Sequence, residues 1–163
     1  MQLNGRAVIM LGWREWVTLP ELGIARLRAK VDTGARSSAL HVDTHWRFVD
    51  GGAPWVGFRL TPWKLRADTR AGLPAVTVEA VAPITDEREV TDSGGQRTTR
   101  IFLCTRLRLA GVEREIDINL TDRRGMRFPM LLGRTAIAGA FTVDPAQSSA
   151  QGRPPRHLPR PSP

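Results

Sequence analysis

Hydrophobic and polar residues alternate with a period of two along much of this chain. Residues 25–31 read ARLRAKV, in which basic residues alternate with small or apolar ones. The longest such pattern is Arg97–Leu109, after which Gly111 turns the chain and Val112–Leu120 alternates again. A period of two is the spacing of a strand with one buried face, so the two patterns predict a β-hairpin.

Shorter apolar runs predict further strands at Ala7–Gly12, Pro54–Thr61 and Ala75–Ala82. Turn signals fall between the predicted strands, at Asp50-Gly51-Gly52, Ser93-Gly94-Gly95 and Arg124-Gly125. Arg134–Gly139, which reads RTAIAG, is the one segment that suggests a helix, and a short one. Many short strands with little helix predict an all-β domain, either a closed barrel or a sandwich.

The last 17 residues, QSSAQGRPPRHLPRPSP, differ in composition from the rest. Five of them are proline, and Leu158 is their only large apolar residue, so they cannot bury enough apolar area to offset the entropy of ordering. We expect a folded domain over residues 1–146 and a disordered tail over residues 147–163.

Charge and cysteine content narrow the function classes only slightly. The net charge is +8, and three of the arginines lie in the predicted tail. A basic protein admits nucleic acid or acidic partners without selecting either. Cys104 is the single cysteine, so no intramolecular disulfide can form. No run of 18 apolar residues occurs, and we expect a cytoplasmic protein without a membrane span.

The strongest candidate for a catalytic site is Asp32-Thr33-Gly34-Ala35, which directly follows the predicted strand at residues 25–31. Gly34 would allow a tight turn close to the carboxylate, and the Thr33 hydroxyl could lock that turn. By itself Asp-Thr-Gly most often marks only a turn after a strand. About a hundred residues later, Leu131-Leu132-Gly133-Arg134 precedes the predicted helix. An apolar-apolar-Gly strand that follows an apolar-Asp-Thr-Gly turn is the two-part signature of aspartic peptidases.

The stretch from about Val8 to Ser149 resembles small bacterial proteins labelled ATP-dependent zinc proteases, the RimB-like family, which is similar to retroviral aspartic proteases. The residues that carry the resemblance are 11–15 (LGWRE), 30–40 (KVDTGARSSAL) and 127–144. The resemblance implies a retropepsin-like closed β-barrel with one short C-terminal helix. It also implies roles for individual residues: Asp32 as the catalytic carboxylate, Thr33 as a clamp between subunits, Gly34 and Ala35 as the active-site loop, and Leu131, Leu132, Gly133 and Arg134 as the segment that supports the loop.

The sequence departs from the retroviral pattern at Arg36. In retroviral proteases the residue at this place is usually acidic and pairs with the arginine that follows the later glycine. Here Arg36 occupies that place while Arg134 is still present, and two arginines cannot form that pair. We therefore expect either another acceptor for Arg134 or a substrate cleft with a different charge, and in both cases a substrate specificity unlike the retroviral one.

One Asp-Thr-Gly supplies one carboxylate, whereas aspartic peptidases activate water between two carboxylates that share a proton. Asp92-Ser93-Gly94 is the other candidate in this chain, but no second apolar-apolar-Gly segment accompanies it. We interpret Ser93, Gly94 and Gly95 as the tip of a flap hairpin that closes over a peptide, and the run from Asp86 to Glu89 as a solvated loop before it. The hypothesis is a homodimer with Asp32 of each copy at the two-fold axis.

Metal and nucleotide motifs are incomplete. His41 and His45 have the spacing of a zinc-peptidase motif but lack its glutamate, although a site that uses Asp43 stays open. No phosphate-binding loop of the G-x-x-x-x-G-K-[ST] type occurs, which argues against ATP hydrolysis by this chain. Cys104 reads as a small core residue, and the five tryptophans as core or interface residues rather than base-stacking groups.

The sequence thus predicts an aspartic endopeptidase with no cofactor and no metal, a peptide or protein substrate, and no membrane or nucleic-acid partner. The resemblance adds a link to ATP-grasp ligases that modify protein termini. Two alternatives remain, a zinc-dependent peptidase and a catalytically silent β-barrel that binds peptide or RNA.

Overall fold

The computed structural model describes residues 2–3, 5–61, 77–91, 94–121 and 127–158. Short strands make up most of these residues. In chain order they are β1 (Gln2–Leu3), β2 (Arg6–Ala7), β3 (Ile9–Leu11), β4 (Arg14–Leu19), β5 (Ile24–Asp32), β6 (Ser38–His41), β7 (Thr44–Asp50), β8 (Ala53–Leu60), β9 (Val78–Pro83), β10 (Asp86–Thr91), β11 (Arg97–Leu109), β12 (Val112–Thr121), β13 (Met130–Gly133) and β14 (Phe141–Val143). A single 3-10 turn, Pro20–Leu22, and one α-helix, α1 (Arg134–Ile137), complete the elements of this part of the chain.

The prediction of an all-β fold with a short C-terminal helix is confirmed for the described residues. The predicted hairpin also forms, because β11 and β12 pair antiparallel from Phe102 opposite Asn119 to Leu109 opposite Val112. Its two loop residues, Ala110 and Gly111, have positive φ angles of 52° and 77°, as tight hairpin loops require. In the described part of the chain, no helix has the length and apolar character that a membrane crossing needs. The predicted turn at Arg124-Gly125 and the start of the strand predicted at Ala75 lie outside the described residues.

The largest sheet has seven strands in the order β10-β11-β12-β6-β13-β5-β4. Its two central parallel pairings join β12 to β6 and β13 to β5. Its last strand returns to the second one, since Thr18 of β4 pairs with Arg108 of β11. The parallel pairing of β13 with β5 places these two strands, which carry the candidate site, next to each other, with β6 on one side and β4 on the other.

Apolar side chains from the strands form one core. Leu11, Leu27, Leu40, Leu103 and Leu132 are each at most 1% exposed and come from five different strands. Burial of a leucine side chain contributes about 1.5–3 kcal/mol, so this shared interior is what holds the strands in register.

The remaining strands form smaller sheets. β7, β8 and β9 form a three-stranded antiparallel sheet, whose first hairpin turns at Gly51 and Gly52 as predicted. β14 lies parallel to β3, from Phe141 opposite Ile9 to Val143 opposite Leu11.

The start of the predicted tail is bound to the domain. The buried carboxylate of Glu15 accepts hydrogen bonds from the backbone N–H groups of Gly12 (2.8 Å), Ala150 (2.8 Å) and Gln151 (3.3 Å). The Trp13 N–H also donates to the Gln147 carbonyl at 2.9 Å. The sequence predicts disorder from residue 147 onwards, but residues 147, 150 and 151 are hydrogen-bonded to the domain. They are held there because the buried carboxylate of Glu15 needs the N–H donors that this segment supplies. The division of the chain into domain and tail otherwise stays a prediction.

Candidate active site

The Asp32 loop follows directly from β5. The carboxylate Oδ1 of Asp32 accepts the Gly34 N–H at 3.0 Å, and the Asp32 carbonyl accepts the Ala35 N–H at 3.3 Å. A Cβ atom at residue 34 would lie 3.3 Å from the same Oδ1, so glycine fits this approach closely. The turn is thus closed by the aspartate itself, in the manner of an Asx turn, rather than by the Thr33 hydroxyl. Asp32 is half-buried, and Thr33 and Gly34 are exposed.

The strand β13 lies against β5 along the residues that lead to the loop. Its register sets Leu131 opposite Lys30, Leu132 opposite Val31 and Gly133 opposite Asp32. The structure therefore brings the two halves of the predicted signature together, with Leu132 and Gly133 buried beneath the turn.

The first residues after β13 hold the far side of the loop. The Arg134 N–H donates to the Ala35 carbonyl at 2.8 Å. The Arg36 carbonyl accepts both the N–H of Thr135, at 3.2 Å, and its hydroxyl, at 2.8 Å. At Gly133 a Cβ atom would lie 2.5 Å from the carbonyl carbon and oxygen of Ser37, so only glycine allows this approach. The loop is fixed at both ends by backbone contacts.

The guanidinium of Arg134 has another acceptor, which is one of the two alternatives that the sequence left open. Its Nη1 donates to the Gly34 carbonyl at 3.1 Å. Arg36 is exposed, so the loop carries two cationic side chains where a retroviral protease has an ion pair.

Two polar residues that sequence reasoning missed lie beneath the loop. The fully buried Ser38 hydroxyl accepts the Gly133 N–H at 3.0 Å. The Asn119 amide, 4% exposed, donates to the Ser38 carbonyl at 2.9 Å. In the sequence, Asn119 stands out only because it is uncharged, whereas the preceding alternate positions of β12 are Glu113, Glu115 and Asp117.

The predicted flap corresponds to the hairpin of β10 and β11, which pair antiparallel from Asp86 opposite Phe102 to Thr91 opposite Arg97. Gly94 and Gly95 lie at its exposed tip, and Gly95 has a φ of 83°; Ser93 lies outside the described residues. The interpretation of residues 86–89 as a solvated loop is wrong, because they form β10. Their side chains are exposed, which is why charge concealed the strand.

The two histidines do not form a common site. His41 is buried, and its Nε2 lies 3.2 Å from Oδ1 of Asp43, whereas His45 is exposed. Oδ2 of Asp43 accepts the Thr61 hydroxyl at 2.9 Å. Within the described ranges, no three His, Cys, Asp or Glu side chains lie together in an arrangement that could hold a metal ion.

The prediction that Cys104 is a small core residue is wrong. Cys104 is exposed, because the alternation of side chains along β11 places it on the outer face of the strand. Partial burial raises the pKa of its thiol, and the carboxylates of Glu115, Asp117 and Glu21 raise it further. A thiol of this kind is a poor nucleophile at neutral pH.

Comparison with known proteins connects this geometry to a family. The family model described as "Retropepsin-like aspartic endopeptidase RimB" matches residues 10–154, which extends beyond the boundary predicted at residue 146. A solved structure from Legionella pneumophila, of a DUF785 protein of unknown function, is similar with a TM-score of 0.70 and 26% identity, over 87% of this chain and 97% of that one.

Two curated relatives are named "Probable alpha-L-glutamate ligase". The one from Desulfotalea psychrophila is 36% identical over 143 residues, and the one from Shewanella pealeana is 32% identical over 143 residues. Each match covers 88% of this chain but only 29% and 30% of the respective relative, so the chain spans less than a third of their length. Together with the Asp32 loop and its β13 support, the family match shows that the chain belongs to the RimB-like family of retropepsin-like proteins.

Proposed function

We propose that the chain is one subunit of an aspartic endopeptidase in which two copies each contribute Asp32. The observation that carries the proposal is the fixed Asp32 loop, held by Gly133 opposite Asp32 and by the backbone contacts of Arg134 and Thr135. A carboxylate that is to orient water needs such a rigid support. The finer description of the fold as a closed retropepsin-like barrel belongs to this proposal, and the pairing of Thr18 with Arg108 supports it.

The second carboxylate would come from a second copy. Thr33 and Gly34 are exposed beside the half-buried Asp32, so the loop is accessible to a two-fold mate. An isologous contact at this loop would bring the two Asp32 side chains together and let the Thr33 side chains act as the inter-subunit clamp that the family resemblance implies.

The reaction would follow from a shared proton. One ionised carboxylate accepts a proton from a water molecule, whose oxygen attacks the peptide carbonyl carbon, while the protonated carboxyl donates its proton to the carbonyl oxygen. The resulting diol collapses when the C–N bond breaks. The carboxyl that took the proton from water donates it to the leaving nitrogen, and one diol hydroxyl gives its proton to the other carboxylate, which leaves the product carboxylic acid and restores the shared-proton pair. The hairpin of β10 and β11 would close over the peptide and exclude bulk water.

For the substrate we propose peptides that carry glutamate residues. Relatives named as α-L-glutamate ligases contain a segment similar to this chain, and a ligase that adds glutamate creates the amide bond that a peptidase could remove. Lys30 lies two residues before Asp32 on the same face of β5 and is exposed. With Arg36 and Arg134 it supplies three cations around the loop, which suits carboxylate side chains beside the scissile bond. A functional link to an ATP-dependent ligase would place the enzyme in the cytoplasm.

A peptidase assay on glutamate-rich peptides tests the reaction. Wild type, Asp32→Asn and wild type with a chelator are compared, with Asp50→Asn at an exposed strand end as the matched control. We expect cleavage by wild type and by the control, no effect of the chelator, and a loss of at least about a hundredfold with Asp32→Asn. Loss with the chelator together with an active Asp32→Asn would instead support a zinc peptidase. If no peptide is cut at any pH, the catalytically silent barrel is the better description.

A second assay tests the choice of substrate. Lys30→Gln and Arg36→Gln should each lower kcat/KM for glutamate peptides by about tenfold, with little effect on matched glutamine peptides. Arg6→Gln, which removes an exposed cation from β2, serves as the control. Equal losses on both kinds of peptide would contradict the assignment of these cations to carboxylate recognition.

A further inference from the structure

A chain of polar side chains runs from the Asp32 loop to the hairpin that we assign as the flap. The Ser38 hydroxyl accepts the Gly133 N–H, and the Ser38 carbonyl accepts the Asn119 amide. The chain continues on β11, where Nη1 of Arg100 donates to Oδ1 of Asn119 at 3.1 Å. Four residues on four strands, β13, β6, β12 and β11, are therefore joined by three successive hydrogen bonds.

These bonds are strong because of where they lie. Ser38 and Asn119 are at most 4% exposed, so water cannot replace a lost partner. The Asn119 amide uses its donor and its acceptor side at the same time, which fixes its orientation. The third bond has a charged donor, Arg100, and charge-assisted bonds are about twice as strong as neutral ones.

Arg100 occupies the boundary between the projecting hairpin and the core. Residues Arg97, Thr98 and Thr99 are exposed, Arg100 is half-buried, and the next three residues of β11, 101–103, are buried. Across the hairpin, Arg100 is the register partner of Arg88 on β10. Of the four hydrogen-bonded residues, Arg100 is therefore the one that a change in the angle between hairpin and core would move first.

We propose that Arg100 and Asn119 are positioning residues that couple the position of the flap hairpin on the core to the orientation of the Asp32 loop. When the hairpin lies in the position seen in the structure, Arg100 donates to the Asn119 amide, and this amide fixes the Ser38 carbonyl. The Ser38 hydroxyl in turn fixes Gly133, the register partner of Asp32. The inference rests on the proposed function for its catalytic meaning, whereas the mechanical coupling can be measured without any substrate.

Hydrogen–deuterium exchange of the substrate-free protein tests the coupling. Arg100→Gln removes the charged donor, and Arg100→Lys restores a charged donor. Arg106→Gln is the matched control six residues along β11, where the native arginine forms ion pairs with exposed Glu21 and Glu113. We expect Arg100→Gln to accelerate exchange of the amides in residues 36–40 and 131–135 by about tenfold, as the loss of one charge-assisted bond would allow. Arg100→Lys should recover part of the protection, and Arg106→Gln should match wild type.

The second variant, Asn119→Asp, keeps the shape and the acceptor but removes the donor to the Ser38 carbonyl. It should accelerate exchange in residues 36–40 without affecting the hairpin residues 86–91. In an active enzyme, Arg100→Gln should lower kcat about tenfold at nearly constant KM, because the loop rather than the cleft is disturbed.

The inference is overturned if Arg100→Gln exchanges like Arg106→Gln, or if exchange rises uniformly over the whole domain in step with a lower melting temperature. A wild-type protein that cuts no peptide would refute the proposed function, but the exchange result would still decide whether the hairpin and the loop are coupled.

Discussion

Substitution of Gly133 by alanine is the perturbation for which the structure gives the clearest magnitude. The added Cβ would lie 2.5 Å from the carbonyl carbon and oxygen of Ser37 and 2.9 Å from the Arg36 carbonyl oxygen. Carbon atoms normally approach to about 3.5 Å, so the two backbones must separate by about 1 Å. The Arg36 carbonyl is held by Thr135, and the Gly133 N–H is held by Ser38, so neither side can move freely.

Overpacking of this kind costs about 1–3 kcal/mol. For a chain of this length, such a loss lowers the melting temperature by about 2–12 °C. The displacement also acts on the register partner of Gly133, which is Asp32, so peptidase activity should fall by more than the folded fraction does. Calorimetry and peptide cleavage on the same samples measure the two effects.

Gly57→Ala is the control, because a Cβ there would lie 2.3 Å from the Trp46 ring in the separate three-stranded sheet. It should lower stability and leave the activity of the folded protein intact. A Gly133→Ala protein with wild-type stability and activity would refute the argument that a backbone contact supports the loop. Equal activity losses in the two variants would refute its specificity for the site.

Three further predictions concern stability and reactivity. Glu15→Gln replaces one acceptor oxygen by an amide NH2 group, which faces the N–H of Gln151 when the remaining oxygen keeps the bonds from Gly12 and Ala150, so we expect a loss of about 1–3 kcal/mol in the free energy of unfolding, and an unchanged urea midpoint would contradict this. A hydrogen bond from Arg108 lowers the pKa of Glu113, so the stabilisation by Glu113 exists above its unfolded pKa and is lost as the pH falls through its folded pKa. Glu113→Gln should therefore be less stable than wild type at pH 7 and equal to it at strongly acid pH, and a difference that persists in acid would count against the assignment. Because the pKa of Cys104 is raised, its alkylation by iodoacetamide at pH 8 should be slower than that of a cysteine in an unstructured peptide. An equal or faster rate would contradict a raised pKa.

The sequence was informative where strands have one buried and one exposed face. β11 and β12 could be predicted because their alternation continues for ten residues or more, and Gly111 marks the turn. β4 was missed because Glu15, a carboxylate, occupies a buried position that only the distant residues 150 and 151 make favourable. β10 was missed for the opposite reason, since its residues bury almost nothing.

The candidate site shows the same limit. Asp32 and Gly133 could be named from the sequence because a tight turn and a close backbone approach each require particular residues. Ser38 and Asn119 could not, because their role depends on β6 and β12 lying side by side, and nothing local to either segment encodes that pairing.

The most direct test of the central claim is peptide cleavage by mixtures of wild-type and Asp32→Asn subunits refolded together at constant total concentration. If each active site needs Asp32 from two copies, activity should fall as the square of the wild-type fraction, so an equal mixture retains about a quarter of the wild-type rate. A linear fall, with half the rate in the equal mixture, would show that each copy acts independently with its own Asp32 and would contradict the two-subunit site.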